Sequence, residues 1–112
     1  MGQPIERKRP LRLTREGYKK VCKLVDDRDC GCVVCRDPNV QHHHIIYRSE
    51  GGEDRLENLV ALCPFHHMQL GHGWSKHEQQ REFLKYTHEE CKEFNKQHQK
   101  ELETIYKLEK RR

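Results

Sequence analysis

Apolar positions are sparse along this chain, and their spacing marks out its elements. Tyr18, Val21, Cys22, Leu24 and Val25 recur at helical intervals behind Thr14, whose hydroxyl suits an N-cap, so a helix is expected from 14 to about 27, with Gly31 placed to stop it. Ahead of it, Pro4 and Pro10 favour an extended arm, because proline lacks the amide donor and fixes the backbone. The run 41–47, histidines followed by Ile45 and Ile46, reads as a short strand, Gly51-Gly52 as part of a long turn, and 59–62 as a second strand. Pro64 sits where a short helix would begin, and Gly71 and Gly73 end it. Beyond Gly73 the sequence contains neither glycine nor proline, so one or two long helices are expected. Their apolar stripe of Phe83, Cys91, Phe94, Leu102, Ile105 and Leu108 is too thin to fold alone, and is expected to pack on its own domain or on a twin chain.

Composition limits what these elements can build. With 112 residues, 33% hydrophobic against 36% charged, the chain holds one domain with little apolar material, and something besides burial must stabilise it. The organisation expected is a basic N-terminal arm over 1–12, a compact domain over 13–75 and a charged helical extension over 76–112. No run approaches the ~20 apolar residues of a membrane span, and no apolar leader precedes the six cysteines, so a cytoplasmic location and no membrane partner are expected. In that reducing setting, close-set cysteines act as metal ligands more readily than as disulfides. The formal net charge of +4 is unevenly placed. Arg7, Lys8, Arg9 and Arg12 crowd the arm, Lys110, Arg111 and Arg112 close the chain, and acidic residues outnumber basic ones between 31 and 75. Basic flanks around an acidic centre suit an anionic partner such as DNA, with cations supplied to the centre as metal.

The centre carries metal-ligand spacing. Cys32-Val33-Val34-Cys35 and Cys63-Pro64-Phe65-His66 are pairs with two residues between ligands, a gap that lets one tight turn bring both side chains onto one ion. Two such pairs complete the tetrahedron of a structural zinc site. Cys22 and Cys91 are expected as small apolar side chains on helices. Cys30 lies close enough to compete as a ligand, but Cys32 gives the standard gap to Cys35.

Between the two halves of this staple run His43-His44-Ile45-Ile46, Arg48-Ser49-Glu50-Gly51-Gly52, Glu57-Asn58-Leu59 and, beyond Cys63, His66-His67. Over about residues 28–72 this closely resembles the HNH endonucleases and their zinc-bearing ββα-metal fold. The resemblance implies a two-stranded hairpin and a short helix around the metal sites; with the leading helix and the helical extension, which lie outside it, the fold expected is an α+β domain. It implies that His43 and His67 bind a catalytic divalent ion, magnesium or manganese or another. It also makes His44 the general base and Asn58 the residue that pins the long turn. Adjacent His66 and His67 would project ~100° apart on a helix, so that one can serve zinc and the other a second ion. Cleaving a phosphodiester needs charge neutralisation on the phosphate, help for a poor leaving group and a proton acceptor for water, which a divalent ion and a neutral imidazole supply.

Arg48 is a candidate phosphate contact. His42 and His72 are expected to be exposed or merely packed, although His72 lies near enough in sequence to join the catalytic ion. The activity implied is metal-dependent nicking or cleavage of DNA, in a bacterial or phage-encoded protein. The alternatives are a zinc-scaffold module that binds DNA without cutting it, or an adaptor of a phage DNA-processing machine. The C-terminal helices are the expected contact for a homodimer or a packaging partner.

Overall fold

The computed structural model describes residues 9–73 and 82–110. Helix α1 spans Arg15–Asp29, and Thr14 caps it as expected: its Oγ1 accepts from the Gly17 amide at 3.2 Å. The helix runs two residues past the expected end. Cys30, at φ 55° in the left-handed region, terminates it, with its amide returning to the Asp26 carbonyl; Gly31 follows at φ 108°. A Cβ on Gly31 would come within 2.8 Å of the Arg36 carbonyl oxygen, so the tight knuckle after α1 requires glycine there.

Strand β1, Gln41–His44, pairs antiparallel with β2, Leu59–Leu62, in the register His43 opposite Val60 and His44 opposite Leu59. β2 matches its expected range, whereas β1 stops three residues short of the expected 47. The cause is Asn58. The Ile45 amide still donates to the Asn58 carbonyl at 2.9 Å, but the Ile46 amide is held by the Asn58 side-chain oxygen at 2.8 Å, and the ladder goes no further.

All four residues of β2 are buried because both faces of the strand are covered. Leu59 and Ala61 pack with Val21, Leu24 and Val25 of α1, while Val60 and Leu62 pack with Ile45, Phe83 and the cysteine knuckle. Side chains that alternate across one strand thus feed two small cores. Arg28 and Asp29 lock α1 to this strand. The Arg28 Nε donates to Asp29 at 2.7 Å, its guanidinium reaches the Leu56 and Leu59 carbonyls, and Asp29 accepts from the Ala61 amide at 3.0 Å. With every polar atom directed at a partner, the buried pair sits without an uncompensated charge.

Helix α2, Pro64–Gly73, starts at the expected proline. The C-terminal region is helical, but divided into short pieces: a turn of π-helix over Tyr86–Glu90, α3 over Lys92–Gln97 and α4 over Gln99–Tyr106. Breaks at Cys91 and His98, where φ is −113° and −107°, let the thin stripe bend around the domain. Phe83, Cys91, Leu102 and Ile105 are buried as a result, so the stripe packs on its own domain. Thr87, completely buried, donates from the π-turn to the Glu57 carbonyl at 2.8 Å. The two ends of the domain meet: Leu13 bridges Glu109, and the Thr14 amide donates to the Leu108 carbonyl at 2.9 Å. Among the described residues, no helix is long and apolar enough to cross a membrane.

Candidate functional site

The four expected zinc ligands converge. One donor atom from each of Cys32, Cys35, Cys63 and His66 lies within 4.8 Å of all the others. The Cys35 and Cys63 sulfurs are 3.7 Å apart, the Cys63 sulfur is 3.3 Å from His66 Nδ1, and the Cys32 sulfur is 3.8 Å from the same nitrogen. Bond lengths of ~2.3 Å for zinc to sulfur and ~2.0 Å for zinc to nitrogen place tetrahedral ligands roughly 3.5–3.8 Å apart. The cluster is therefore compatible with zinc in both donor chemistry and size. Although burial raises the pKa of the Cys32 thiol, the backbone N–H groups of Cys63, Cys35 and Val34 outweigh it and push the value down to about 6, favouring the thiolate that metal binding requires. Cys30 stands apart, exposed, its sulfur directed at the Asp27 carbonyl. Cys22 is buried on α1, whereas Cys91, also buried, sits at the break before α3 and not on a helix as expected.

A shallow cleft beside this cluster is lined by His42, His43, His44, Tyr47, Arg48 and His67. Alternation along β1 distributes its residues to two sides. Gln41 and His43 face α2: the His43 and His67 rings are 5.0 Å apart, centre to centre, and Gln41 Oε1 lies 2.7 Å from His67 Nδ1. An amide oxygen can only accept, so the proton sits on His67 Nδ1 and the lone pair on Nε2. His42 and His44 face α1 instead. His42 is paired with Asp26 at 2.8 Å and also lines the cleft. His44 stacks parallel to Tyr18, and its Nε2 meets the Asp54 carboxylate at 2.9 Å.

Asp54 is 1% exposed and fully engaged. Its second oxygen accepts from the Leu13 amide at 3.0 Å, and Arg48 adds contacts of 3.2 and 3.3 Å to the first. Burial by itself would raise the Asp54 pKa, but the Leu13 amide, His44 and Arg48 hold it below the usual carboxylate range. Burial acts first on His44 as well, and it lowers the pKa despite the opposing pull of Asp54, which favours the neutral imidazole. Arg48, half exposed, also lies over the Tyr18 ring, 5.3 Å from its centre.

Asn58 makes three hydrogen bonds to the long turn. Its side-chain oxygen accepts from the Ile46 amide, and its amide nitrogen donates to the Glu53 carbonyl at 2.9 Å and the Ile46 carbonyl at 3.2 Å. Arg12 braces the same turn through the Gly52 and Arg48 carbonyls, so this arginine of the expected basic arm is a strut within the domain. Arg7 and Lys8 of the arm, the side chain of His72, and Arg111 and Arg112 lie outside the described residues.

Reading the sequence did not single out Gln41 or Asp54 as site residues, or Tyr18 as more than a helix position. Each acts through side-chain contacts made across the fold, which leave no periodic or spacing signal. A sequence model of the HNH endonuclease family matches residues 30–72. The protein named Anaredoxin from Nostoc sp. (strain PCC 7120 / SAG 25.82 / UTEX 2576) is 34% identical over 71 residues, covering 62% of this chain and 88% of that one. No solved structure matches.

Proposed function

The chain belongs to the HNH endonuclease family, and on that premise we propose that it is a metal-dependent endonuclease that nicks or cleaves DNA by hydrolysing phosphodiester bonds. The observation that carries this reading is the cleft itself, where a neutral His44 and the His43–His67 pair open onto one surface beside the cysteine–histidine staple.

In this reading zinc held by Cys32, Cys35, Cys63 and His66 is structural, and His43 and His67 are the protein ligands of a catalytic magnesium, manganese or similar ion. Bound there, such an ion supplies charge neutralisation on the phosphate and support for the leaving oxygen. The Gln41 contact presents His67 Nε2 outward. His44 accepts the proton of the attacking water on the nitrogen that does not face Asp54. Asn58 keeps the turn after β1 in place, so that His44 stays aimed. Arg48, at the cleft edge with half its surface open, contacts a phosphate oxygen. The basic flanks of the sequence supply the wider attraction for DNA.

The test is relaxation of supercoiled plasmid by the purified zinc-loaded protein with magnesium or manganese, compared with His44→Ala prepared in parallel. Conversion to open-circular or linear DNA by the native protein alone supports the proposal. DNA binding with no conversion in any divalent metal favours a non-cutting module on the same scaffold.

A further inference from the structure

We infer that Asp54 is the positioning residue of this site: it fixes the proton of His44 on Nε2 and so keeps the Nδ1 lone pair directed at the nucleophilic water. The inference deepens the proposed function, since it rests on reading His44 as the base.

The geometry leaves Asp54 little else to do. It is almost completely buried, outside the cysteine–histidine cluster, and its lone pairs are already committed. One oxygen accepts from the Leu13 backbone amide at 3.0 Å, a donor that cannot be reversed. The other oxygen receives His44 Nε2 at 2.9 Å and the Arg48 guanidinium. A carboxylate accepts and does not donate, so the imidazole nitrogen facing it must carry the hydrogen. Tyr18 stacked on the ring at an interplanar angle of 1° limits its rotation, and the tautomer and the orientation are set together. When His44 takes a proton from water on Nδ1, the imidazolium that forms keeps its Nε2 hydrogen and faces a negative partner. Asp54 takes no proton in the step.

Replacing Asp54 by asparagine makes the idea testable, because the two neighbours then make conflicting demands. The Leu13 amide still requires an acceptor, so the side-chain oxygen must turn to it. The NH2 group then faces His44 and requires an acceptor there. The hydrogen of His44 moves to Nδ1, and the proton-accepting position is lost. An aspartate-to-asparagine change behind a catalytic histidine elsewhere acts through the same wrong tautomer.

The experiment combines a spectroscopic and a kinetic measurement on the full zinc-loaded chain. Long-range proton–nitrogen correlation spectra of protein labelled with 15N-histidine, recorded at alkaline pH, report the tautomer of His44, which is assigned by its loss in His44→Ala. The native protein should show the Nε2–H form and Asp54→Asn the Nδ1–H form. On plasmid, Asp54→Asn should lower kcat by ~100-fold or more, and the double variant with His44→Ala should be no slower than His44→Ala alone. An Nδ1–H tautomer in the native protein overturns the inference whether or not Asp54→Asn folds. So does an Asp54→Asn protein that keeps the native tautomer and rate. A tautomer switch in a protein that cuts no DNA upholds the positioning of His44 by Asp54 and instead refutes the nuclease reading.

Discussion

His66 and His67 are consecutive, yet the structure gives them different neighbours, and substitution should separate them. His66 Nδ1 sits against two cysteine sulfurs, so His66→Ala should lose zinc and, with it, most of the folding free energy. His67 faces His43 and Gln41, so His67→Ala should stay folded with its zinc while needing more magnesium or manganese to cut, a defect partly relieved by excess metal. His44→Ala should keep fold, zinc and DNA affinity and lose cutting by ~100-fold or more. Metal analysis, thermal melts and plasmid assays on the three variants check this. Zinc loss from His67→Ala but not from His66→Ala would shift the ligand register by one. At this scale the cysteine–histidine cluster was legible in the sequence because chelation by one short turn imposes a fixed gap. Asp54 and Gln41 were not, because a single side chain reaching across the fold imposes no spacing.

At the scale of elements, the long turn between the strands is held by more than its own sequence. Asn58 makes three hydrogen bonds to it and is 5% exposed, so Asn58→Ala should cost about 2–3 kcal/mol by leaving buried backbone groups unsatisfied. Gly52 is equally constrained, for a Cβ there would collide with the Ile46 and Tyr47 carbonyls. Gly52→Ala should destabilise the domain more than Gly51→Ala, which meets open space and only the strain of φ 87°, about 1 kcal/mol. Denaturant unfolding of the two glycine variants checks the order. The helix cap, β2 and the start of α2 could be read directly from Thr14, the run Leu59–Leu62 and Pro64, since each is a local signal. The early end of β1 depends on a side chain, that of Asn58, holding the Ile46 amide. The breaks in the C-terminal helices depend on what the stripe must reach, which the sequence of that segment does not carry by itself.

For the whole molecule, two small cores on either side of β2 leave much of the stability to the cysteine–histidine cluster. Stripping the metal with a strong chelator should unfold the domain cooperatively, and zinc should restore it, as circular dichroism would report. The α+β plan was legible because helix, hairpin and short helix each left their own pattern. That the N-terminal segment belongs to the domain was not, because its anchors lie far along the chain, among them the Asp54 amide to the Leu11 carbonyl at 3.1 Å and the Lys110 amide to the Arg12 carbonyl at 2.6 Å. Deletion of residues 1–8, which carry Arg7 and Lys8, should therefore lower the salt dependence of DNA binding by up to about two counterions while leaving the fold intact; an unchanged slope excludes the arm from DNA. The bridge between Leu13 and Glu109 has an architectural consequence. Entry and exit lie side by side, so the domain can be spliced as a cassette into a surface loop of a host protein without separating the loop's ends. Residues 9–110 grafted in this way should retain their zinc and leave the host's melting temperature nearly unchanged.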